Sequence, residues 1–151
     1  MRILAKIAPL FAFIFVAFSA QAQVQQMTPD EAYAKALAGE IVLIDIRTPE
    51  EWADGGLPDV ALKNNLYAPD FIQTLLAIRN QNPATPIALI CRTGNRSGRT
   101  TAQLYQAGLT NVIDVVEGVA GSRVGPGWFA RGLPVRAADV PVNPAVTTVQ
   151  P

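Results

Sequence analysis

One stretch decides the fold expected of this chain: Ile87-Ala88-Leu89-Ile90-Cys91-Arg92-Thr93-Gly94-Asn95-Arg96-Ser97-Gly98. A short, continuous apolar run such as residues 87–90 is typical of a parallel strand that is buried on both faces. Residues 99–106 are predicted to form a helix that stops at Gly108, because glycine commonly follows the last helical residue. Cys91 therefore lies between the carboxyl end of a strand and a helix, where open α/β sheets bind ligands.

The turn that holds Cys91 is expected to favour a thiolate. Successive backbone N–H groups can form a nest for an anion, and the helix N-terminus adds partial positive charge. The nearby arginines Arg92, Arg96 and Arg99 act in the same direction. The alternative is a buried, inert cysteine that packs as a small apolar side chain. The arginine-rich turn favours a reactive thiol in a partly exposed site.

The chain contains no histidine and a single cysteine. A Ser-His-Asp triad and a Cys-His dyad are therefore impossible within it. Histidine-based zinc or iron sites are excluded, and one cysteine cannot build a thiolate metal site. We expect no metal and no cofactor, so chemistry at Cys91 must depend on backbone dipoles and arginines. Persulfide chemistry satisfies that limit.

Three segments carry a resemblance to a known family. Residues 91–97 resemble the active-site loop of single-domain rhodaneses, the thiosulfate sulfurtransferases. Residues 45–52, Asp-Ile-Arg-Thr-Pro-Glu-Glu-Trp, are similar to the family's Asp-x-Arg-x-x-x-Glu-aromatic segment. Residues 117–119, with Trp128 and the run 132–135, resemble its C-terminal end. The match extends from about residue 27 to residue 135.

The resemblance implies an α/β fold with a mostly parallel central sheet and helices on both faces. It also implies a sulfurtransferase that forms a persulfide on Cys91. The donor is a small anionic sulfur compound such as thiosulfate, and the acceptor is thiophilic, such as cyanide or a thiol. The residues expected to bind the substrate are those that follow the cysteine: Arg92, Thr93, Gly94, Asn95, Arg96 and Ser97.

Two other functions remain open on the residues alone. Cysteine phosphatases share this fold, but their loop is Cys-x5-Arg, whereas Cys91 and Arg96 give Cys-x4-Arg, a tighter ring that suits sulfur better than phosphate. A non-catalytic binding or persulfide-carrier module is the second alternative, with a protein partner that the sequence does not identify. It is motivated by the segment 56–59, Gly-Leu-Pro-Asp, where rhodaneses usually have Gly-His-Ile-Pro, and by the extra tail from residue 137.

Residues 1–22 are predicted to be a secretory signal peptide. Two basic residues precede an apolar run, residues 7–18, and small residues follow at Ala20 and Ala22, where a signal peptidase cuts. An uncleaved membrane anchor is the alternative, but the run is shorter than the ~20 residues of a full span. We expect cleavage after Ala22, no stable membrane insertion afterwards, and a periplasmic or secreted protein.

The mature chain is expected to form one domain. Residues 23–27 are predicted to be a linker, residues 28–136 the domain, and residues 137–151 a disordered tail without periodicity. Of 12 basic and 12 acidic residues, cleavage removes Arg2 and Lys6, so ten basic against twelve acidic residues give a formal charge of −2. No basic patch indicates a nucleic-acid partner. After export, a lone Cys91 has no internal disulfide partner.

The remaining elements follow from local patterns. Helices are predicted to begin after the caps Thr28 and Thr48, and a third helix over residues 69–79 has a core stripe of Phe71, Leu75 and Ile78. Strands are expected over residues 41–46 and 111–116, and a short one near residues 61–63. Residues 54–60 are predicted to be a loop.

Some side chains allow a structural or a functional interpretation. We favour a structural role for Arg47, paired with Glu50 or Glu51, and for Asp45, which would hold loop N–H groups. Trp52 is expected in the core. The segment 117–118 is placed near the cysteine loop. The glycine-rich segment 121–129 either lines the pocket or forms a surface turn with Trp128 and Phe129 packed inward.

Overall fold

The computed structural model describes residues 24–142, which contain seven strands and five helices. The first two helices are capped, and the central strands are buried, where local sequence patterns indicate. In chain order the elements are β1 Gln25–Met27, α1 Pro29–Leu37, β2 Val42–Asp45, α2 Pro49–Gly55, β3 Leu57–Pro58, β4 Leu62–Lys63, α3 Phe71–Gln81, β5 Ile87–Ile90, α4 Asn95–Gln106, β6 Val112–Val115, α5 Gly127–Ala130 and β7 Val135–Arg136.

The main sheet has five strands in the order β1-β6-β5-β2-β4, and all four pairings are parallel. β5 lies at the centre, with Leu89 opposite Ile44 of β2 on one side and Asp114 of β6 on the other. The predicted parallel α/β fold is confirmed. Since β5 leads directly to Cys91, the cysteine follows the central strand of the sheet.

Helices cover both faces of this sheet, because alternate strand residues point to opposite sides. Ala88 and Ile90 pack with residues of α1 and α5, while Ile87 and Leu89 pack with residues of α3 and α4. Burial on both faces explains why the central strands are continuous apolar runs. In α3, Phe71 and Leu75 are buried as predicted.

Both predicted helix caps are present. Thr28 and Thr48 each accept a bond from the backbone of the third helical residue, and the glutamate there reaches back to the cap N–H. The start of α4 differs from the prediction, because the helix begins at Asn95 and not near residue 99. Gly94 has φ +83 and reverses the chain at once, so the polar residues after it already form the first helical turn.

Two expectations for connecting segments are wrong, and the expectation for the tail is wrong for the residues of it that the structure describes. The predicted linker 23–27 contains β1, whose three residues pair with β6 but are too few to show a periodic pattern. The predicted loop 54–60 contains β3, which pairs antiparallel with β7. Of the tail predicted to be disordered, residues 137–142 are placed against the domain, with the Lys63 ammonium donating to the carbonyl of Ala138 at 2.8 Å.

The signal peptide predicted for residues 1–22, and residues 143–151 of the tail, lie outside the described residues. Within residues 24–142, none of the helices has the length and apolar character that a membrane span requires. Export therefore stays a prediction from the sequence.

The contribution of the α3 core stripe is testable with two positions on one helix. Leu75 is fully buried, whereas Ile72 is 48% exposed. We expect Leu75→Ala to lower the free energy of unfolding by about 2–5 kcal/mol, because the change removes apolar contacts and leaves a cavity. The control Ile72→Ala should cost less than about 0.5 kcal/mol. Urea unfolding measures both, and equal losses would contradict this packing.

Candidate active site

Cys91 directly follows β5, and its side chain is 1% exposed. It packs against apolar residues on the α3 and α4 face of the sheet. The expectation of a partly exposed thiol is therefore wrong, because the central strand delivers the cysteine into the interior.

The backbone after Cys91 is fixed by the segment that follows β6. The N–H of Val119 donates to the carbonyl of Cys91 at 2.9 Å, and the N–H of Ala120 donates to the carbonyl of Arg92 at 2.8 Å. Two glycines permit this close approach. A Cβ on Gly94 would lie 2.0 Å from the carbonyl oxygen of Val116, and one on Gly118 would lie 2.5 Å from the Arg92 carbonyl.

The interior of the loop offers hydrogen-bond donors. Within residues 24–142, none of the backbone N–H groups from Arg92 to Ser97 donates to a protein acceptor. Gly94 has no side chain to cap α4, so the first N–H groups of that helix also stay available. Such a run of donors at a helix N-terminus favours a bound anion or thiolate.

Ser97 lies on the first turn of α4 and is fully buried. Its hydroxyl Oγ is 3.5 Å from the Sγ of Cys91, within hydrogen-bond distance of a sulfur atom, and 3.2 Å from the carbonyl of Gly94. A hydroxyl that donates to Sγ stabilises the thiolate more than the thiol. Ser97 is thus the predicted site residue whose side chain contacts the cysteine.

The arginines of the loop do not share one environment. Arg96 forms two bonds with the Glu51 carboxylate, at 2.6 and 2.8 Å, so its charge is compensated. The hydrogen bond from Arg96 lowers the pKa of Glu51, and the bond to Glu51 raises the pKa of Arg96. Arg92 and Arg99 are exposed, and neither forms an ion pair within the described residues. Of these three arginines, only Arg96 therefore has its charge compensated by an ion pair within that part of the chain.

Asp45 and Arg47 have the structural role that was expected, but the partner predicted for Arg47 is wrong. Arg47 pairs with Asp45 at 2.7 Å, not with Glu50 or Glu51. Its Nη2 also donates to the carbonyl of Gly56 at 2.6 Å. Asp45 accepts the backbone N–H of Arg47, so this buried pair holds the segment where rhodaneses usually carry histidine.

The segments after β6 divide between core and site. Gly118 contacts the cysteine loop as expected, whereas the Glu117 carboxylate turns away and binds Arg131 and the N–H of Gly127. Trp128 is fully buried, whereas Phe129 is 37% exposed. Of the two aromatic residues predicted to pack inward in a surface turn, only the tryptophan therefore does so. Trp52 is buried, as predicted. Residues 122–124 line a cleft of about 540 Å³ together with Thr93, Gly94 and Asn95.

The sequence did not predict that two further residues, Glu51 and Asp114, lie next to the cysteine loop. Glu51 looked like part of a helix cap, and nothing in its spacing from residue 96 reveals their ion pair. Asp114 interrupts the apolar strand Val112–Val115, and a lone acidic residue in such a strand is a usable signal. Among residues 24–142, no group of three or more His, Cys, Asp or Glu side chains gathers to hold a metal.

This geometry defines a class of proteins: parallel α/β domains that present a cysteine between the central strand and an uncapped helix N-terminus. The chain belongs to the rhodanese family, since a profile of the Rhodanese-like domain matches residues 28–122.

Named relatives agree with this membership. The chain is 33% identical over 114 residues to thiosulfate sulfurtransferase 16 of Arabidopsis thaliana, covering 70% of this chain and 88% of that protein. It is 30% identical over 118 residues to an uncharacterized protein of Rickettsia prowazekii, covering 74% and 96%. The solution structure of the polysulfide-sulfur transferase homodimer from Wolinella succinogenes matches with a TM-score of 0.56 and 25% identity, covering 77% of this chain and 80% of that one.

The glycine contact under the loop is testable with a matched pair. Gly94 and Gly132 have similar positive φ values, +83 and +67, but a Cβ on Gly132 meets nothing within 4 Å. We expect Gly132→Ala to cost about 1–2 kcal/mol from backbone strain alone. Gly94→Ala should cost at least about 2 kcal/mol more, because a methyl group collides with the Val116 carbonyl. Urea unfolding and the alkylation rate of Cys91 measure the effect; equal costs would contradict the contact.

The ion pair of Glu51 predicts a pH dependence. A lowered carboxylate pKa stabilises the fold above the ordinary value of 4.5, and that contribution is lost as the pH falls through the lowered value. Glu51→Gln keeps a capping residue but removes the charge, and should cost about 1 kcal/mol at pH 7. The difference from wild type should therefore be smaller at pH 3 than at pH 7.

The control for this experiment is Glu50→Gln, since Glu50 lies in the same helical turn but does not pair with Arg96. Its effect at pH 7 should be less than half as large. Urea midpoints at both pH values test the prediction, which fails if the loss caused by Glu51→Gln is independent of pH.

Proposed function

We propose that this protein is a sulfurtransferase that holds sulfur as a persulfide on Cys91. The observation that carries this proposal is the run of backbone N–H groups from Arg92 to Ser97, which directly follows Cys91 and has no protein acceptor within residues 24–142. These donors favour a negatively charged sulfur atom without any histidine base. Membership of the rhodanese family supports the proposal, because one relative is named a thiosulfate sulfurtransferase and another a polysulfide-sulfur transferase.

In the first step, the Cys91 thiolate attacks the outer sulfur of an anionic donor such as thiosulfate. A bond forms between Sγ and that sulfur, while the donor's sulfur–sulfur bond breaks and its electron pair leaves on sulfite. The thiolate and the thiosulfate dianion thus give a persulfide anion and the sulfite dianion, so charge is conserved. The N–H groups of the loop stabilise the terminal persulfide sulfur.

In the second step, a thiophilic acceptor takes the outer sulfur. Cyanide attacks this atom, the bond to Sγ breaks, and its electron pair returns to Cys91 as a thiolate while thiocyanate leaves. A thiol acceptor follows the same course after losing its proton. The scheme is covalent and ping-pong, and needs neither metal nor cofactor.

Three side chains of the loop have different roles in this scheme. Arg92 is exposed and has no ion pair among the described residues, so it attracts the anionic donor. Arg96 holds α2 against the loop through Glu51, and its compensated charge adds little to that attraction. The Ser97 hydroxyl donates a hydrogen bond to the Sγ of Cys91.

The engaged arginine also weighs against phosphate chemistry. A cysteine phosphatase needs its loop arginine free to bind the oxygens of a phosphate, whereas both outer nitrogens of Arg96 bind Glu51. The four-residue spacing between Cys91 and Arg96 gives a tighter ring as well. Both features favour a single sulfur atom as the bound group.

The intact mass of the protein tests the persulfide cycle. Purified, reduced protein is incubated with thiosulfate, desalted and weighed by mass spectrometry, and then treated with cyanide. We expect the mass of one sulfur atom to be gained and then lost. Cys91→Ala is the control and should gain none, because Cys91 is the only cysteine in the sequence.

The possible results separate the hypotheses. If a demonstrably reduced thiol gains no sulfur from thiosulfate or polysulfide, the proposal fails, and hydrolysis of p-nitrophenyl phosphate becomes the next assay. If sulfur is gained but cyanide and small thiols do not remove it, the protein is a persulfide carrier and turnover is excluded.

A further inference from the structure

Asp114 is a buried carboxyl group that the mechanism above does not use. It lies on β6 and is 4% exposed, and within residues 24–142 its Oδ1 has no hydrogen-bond partner. No lysine or arginine of the described residues forms an ion pair with it. An unpaired carboxylate in such a place costs free energy, so its presence calls for an explanation.

The surroundings of Asp114 connect it to the cysteine. It lies opposite Leu89 in the register of β6 with β5, and it packs against the first turn of α4. A Cβ on Gly98 would lie 3.1 Å from its Oδ2, so the carboxyl group rests on the backbone of that turn. Ser97 is the neighbour of Gly98 in the same turn, and its hydroxyl lowers the pKa of the Asp114 carboxyl group. Ser97 therefore lies between Asp114 and Cys91.

The Ser97 hydroxyl has one proton and forms hydrogen bonds with two groups, the Sγ of Cys91 at 3.5 Å and the carbonyl of Gly94 at 3.2 Å. The Asp114 carboxyl group is a third acceptor near the same hydroxyl, which lowers the pKa of that carboxyl group. An ionised Asp114 draws the proton to itself and leaves the thiolate without this donor. A protonated Asp114 instead donates to the Ser97 oxygen, and the hydroxyl proton is then free for Sγ.

We propose that Asp114 is a positioning residue that sets, through the Ser97 hydroxyl, how strongly the Cys91 thiolate is stabilised. Its protonated form favours the thiolate, and its ionised form opposes it. The proposal rests on the proposed function in one respect, namely that the Cys91 thiolate is the nucleophile. It assigns a purpose to a buried carboxyl group that packing alone does not explain.

The environment of Asp114 permits the protonated form. Burial raises the pKa of Asp114, and the contact with the Ser97 hydroxyl lowers it by less. The carboxyl group borders two clefts, one of about 300 Å³ against β1 and α4 and one of about 540 Å³ beside residues 122–124, so protons reach it from solvent. Of the residues that line these clefts, the other charged group is Arg123; β5 contributes only apolar residues next to Asp114.

Alkylation of Cys91 by iodoacetamide tests the coupling without any sulfur donor. The rate is measured from pH 4.5 to pH 9 in wild type, Asp114→Asn, Ser97→Ala and the double variant. Asparagine imitates the protonated carboxyl group and should therefore stabilise the Cys91 thiolate. In Asp114→Asn, the fall in alkylation rate on the acidic side of the pH profile (the acid limb) should move to lower pH, and alkylation in that pH range should be roughly tenfold faster. Ser97→Ala should slow it. In the double variant, the Asn change should alter the rate by less than about threefold, because the relay is absent.

Arg123→Gln is the matched control, since it changes the charge at the same cleft without contacting Ser97. Its effect on the acid limb should be less than about twofold. The proposal is overturned if Asp114→Asn leaves the profile unchanged, if it acts equally in the Ser97→Ala background, or if Arg123→Gln has the same effect.

A second measurement uses no Asp114 variant, so its result does not depend on whether Asp114→Asn folds. Carbon-13 NMR of the aspartate carboxyl groups follows the titration of Asp114 in wild type, in Ser97→Ala and in protein alkylated at Cys91. We expect both changes to move the Asp114 titration, and an unmoved titration in both would overturn the proposal. Neither readout involves sulfur transfer, so a failed persulfide cycle and a failed relay are distinguishable.

Discussion

The contact on which this structure depends is backbone against backbone, between the start of the cysteine loop and residues 116–120. The carbonyls of Cys91 and Arg92 accept hydrogen bonds from that segment. In a planar trans peptide the carbonyl and the following N–H point in opposite directions. Anchoring these carbonyls outward therefore aims the N–H groups of Arg92 and Thr93 toward the interior of the loop. The electrostatic character of the site follows from this contact more than from any side chain.

Glu51 fixes the other side of the loop, and its carboxylate serves two structures. It accepts the N–H of Thr48 to cap α2, and it binds the guanidinium of Arg96 at the start of α4. Two helix N-termini, from different parts of the chain, are thus held by one carboxylate. The arginine that the sequence offers as an anion binder is in this way used to position the loop. Within the described residues, the exposed Arg92 and Arg99 keep their charges unpaired, beside the dipoles of the backbone.

Much of the fold was predictable because its signals are local. A few neighbouring residues are enough to predict the helix caps at Thr28 and Thr48. The same holds for the apolar strands around β2, β5 and β6. The early start of α4 was not predictable from local signals, because it depends on a left-handed Gly94 that packs against the backbone of Val116. Likewise, β1 exists only through its pairing with β6, and the burial of Cys91 follows from its place on the central strand. In the site, Ser97 was predicted by resemblance, whereas the pairing of Arg96 and the proximity of Asp114 need the tertiary structure.

The two margins of the sheet have a consequence for how the molecule behaves among its copies. β1 has three residues and β4 has two, and beside β4 the Arg136 guanidinium and the Lys63 ammonium bind the carbonyls of Ala61 and Ala138. A strand that short offers few free backbone groups to a second chain, and the cations beside it repel another such margin. Both margins of the described sheet therefore offer little to strand addition from a second molecule.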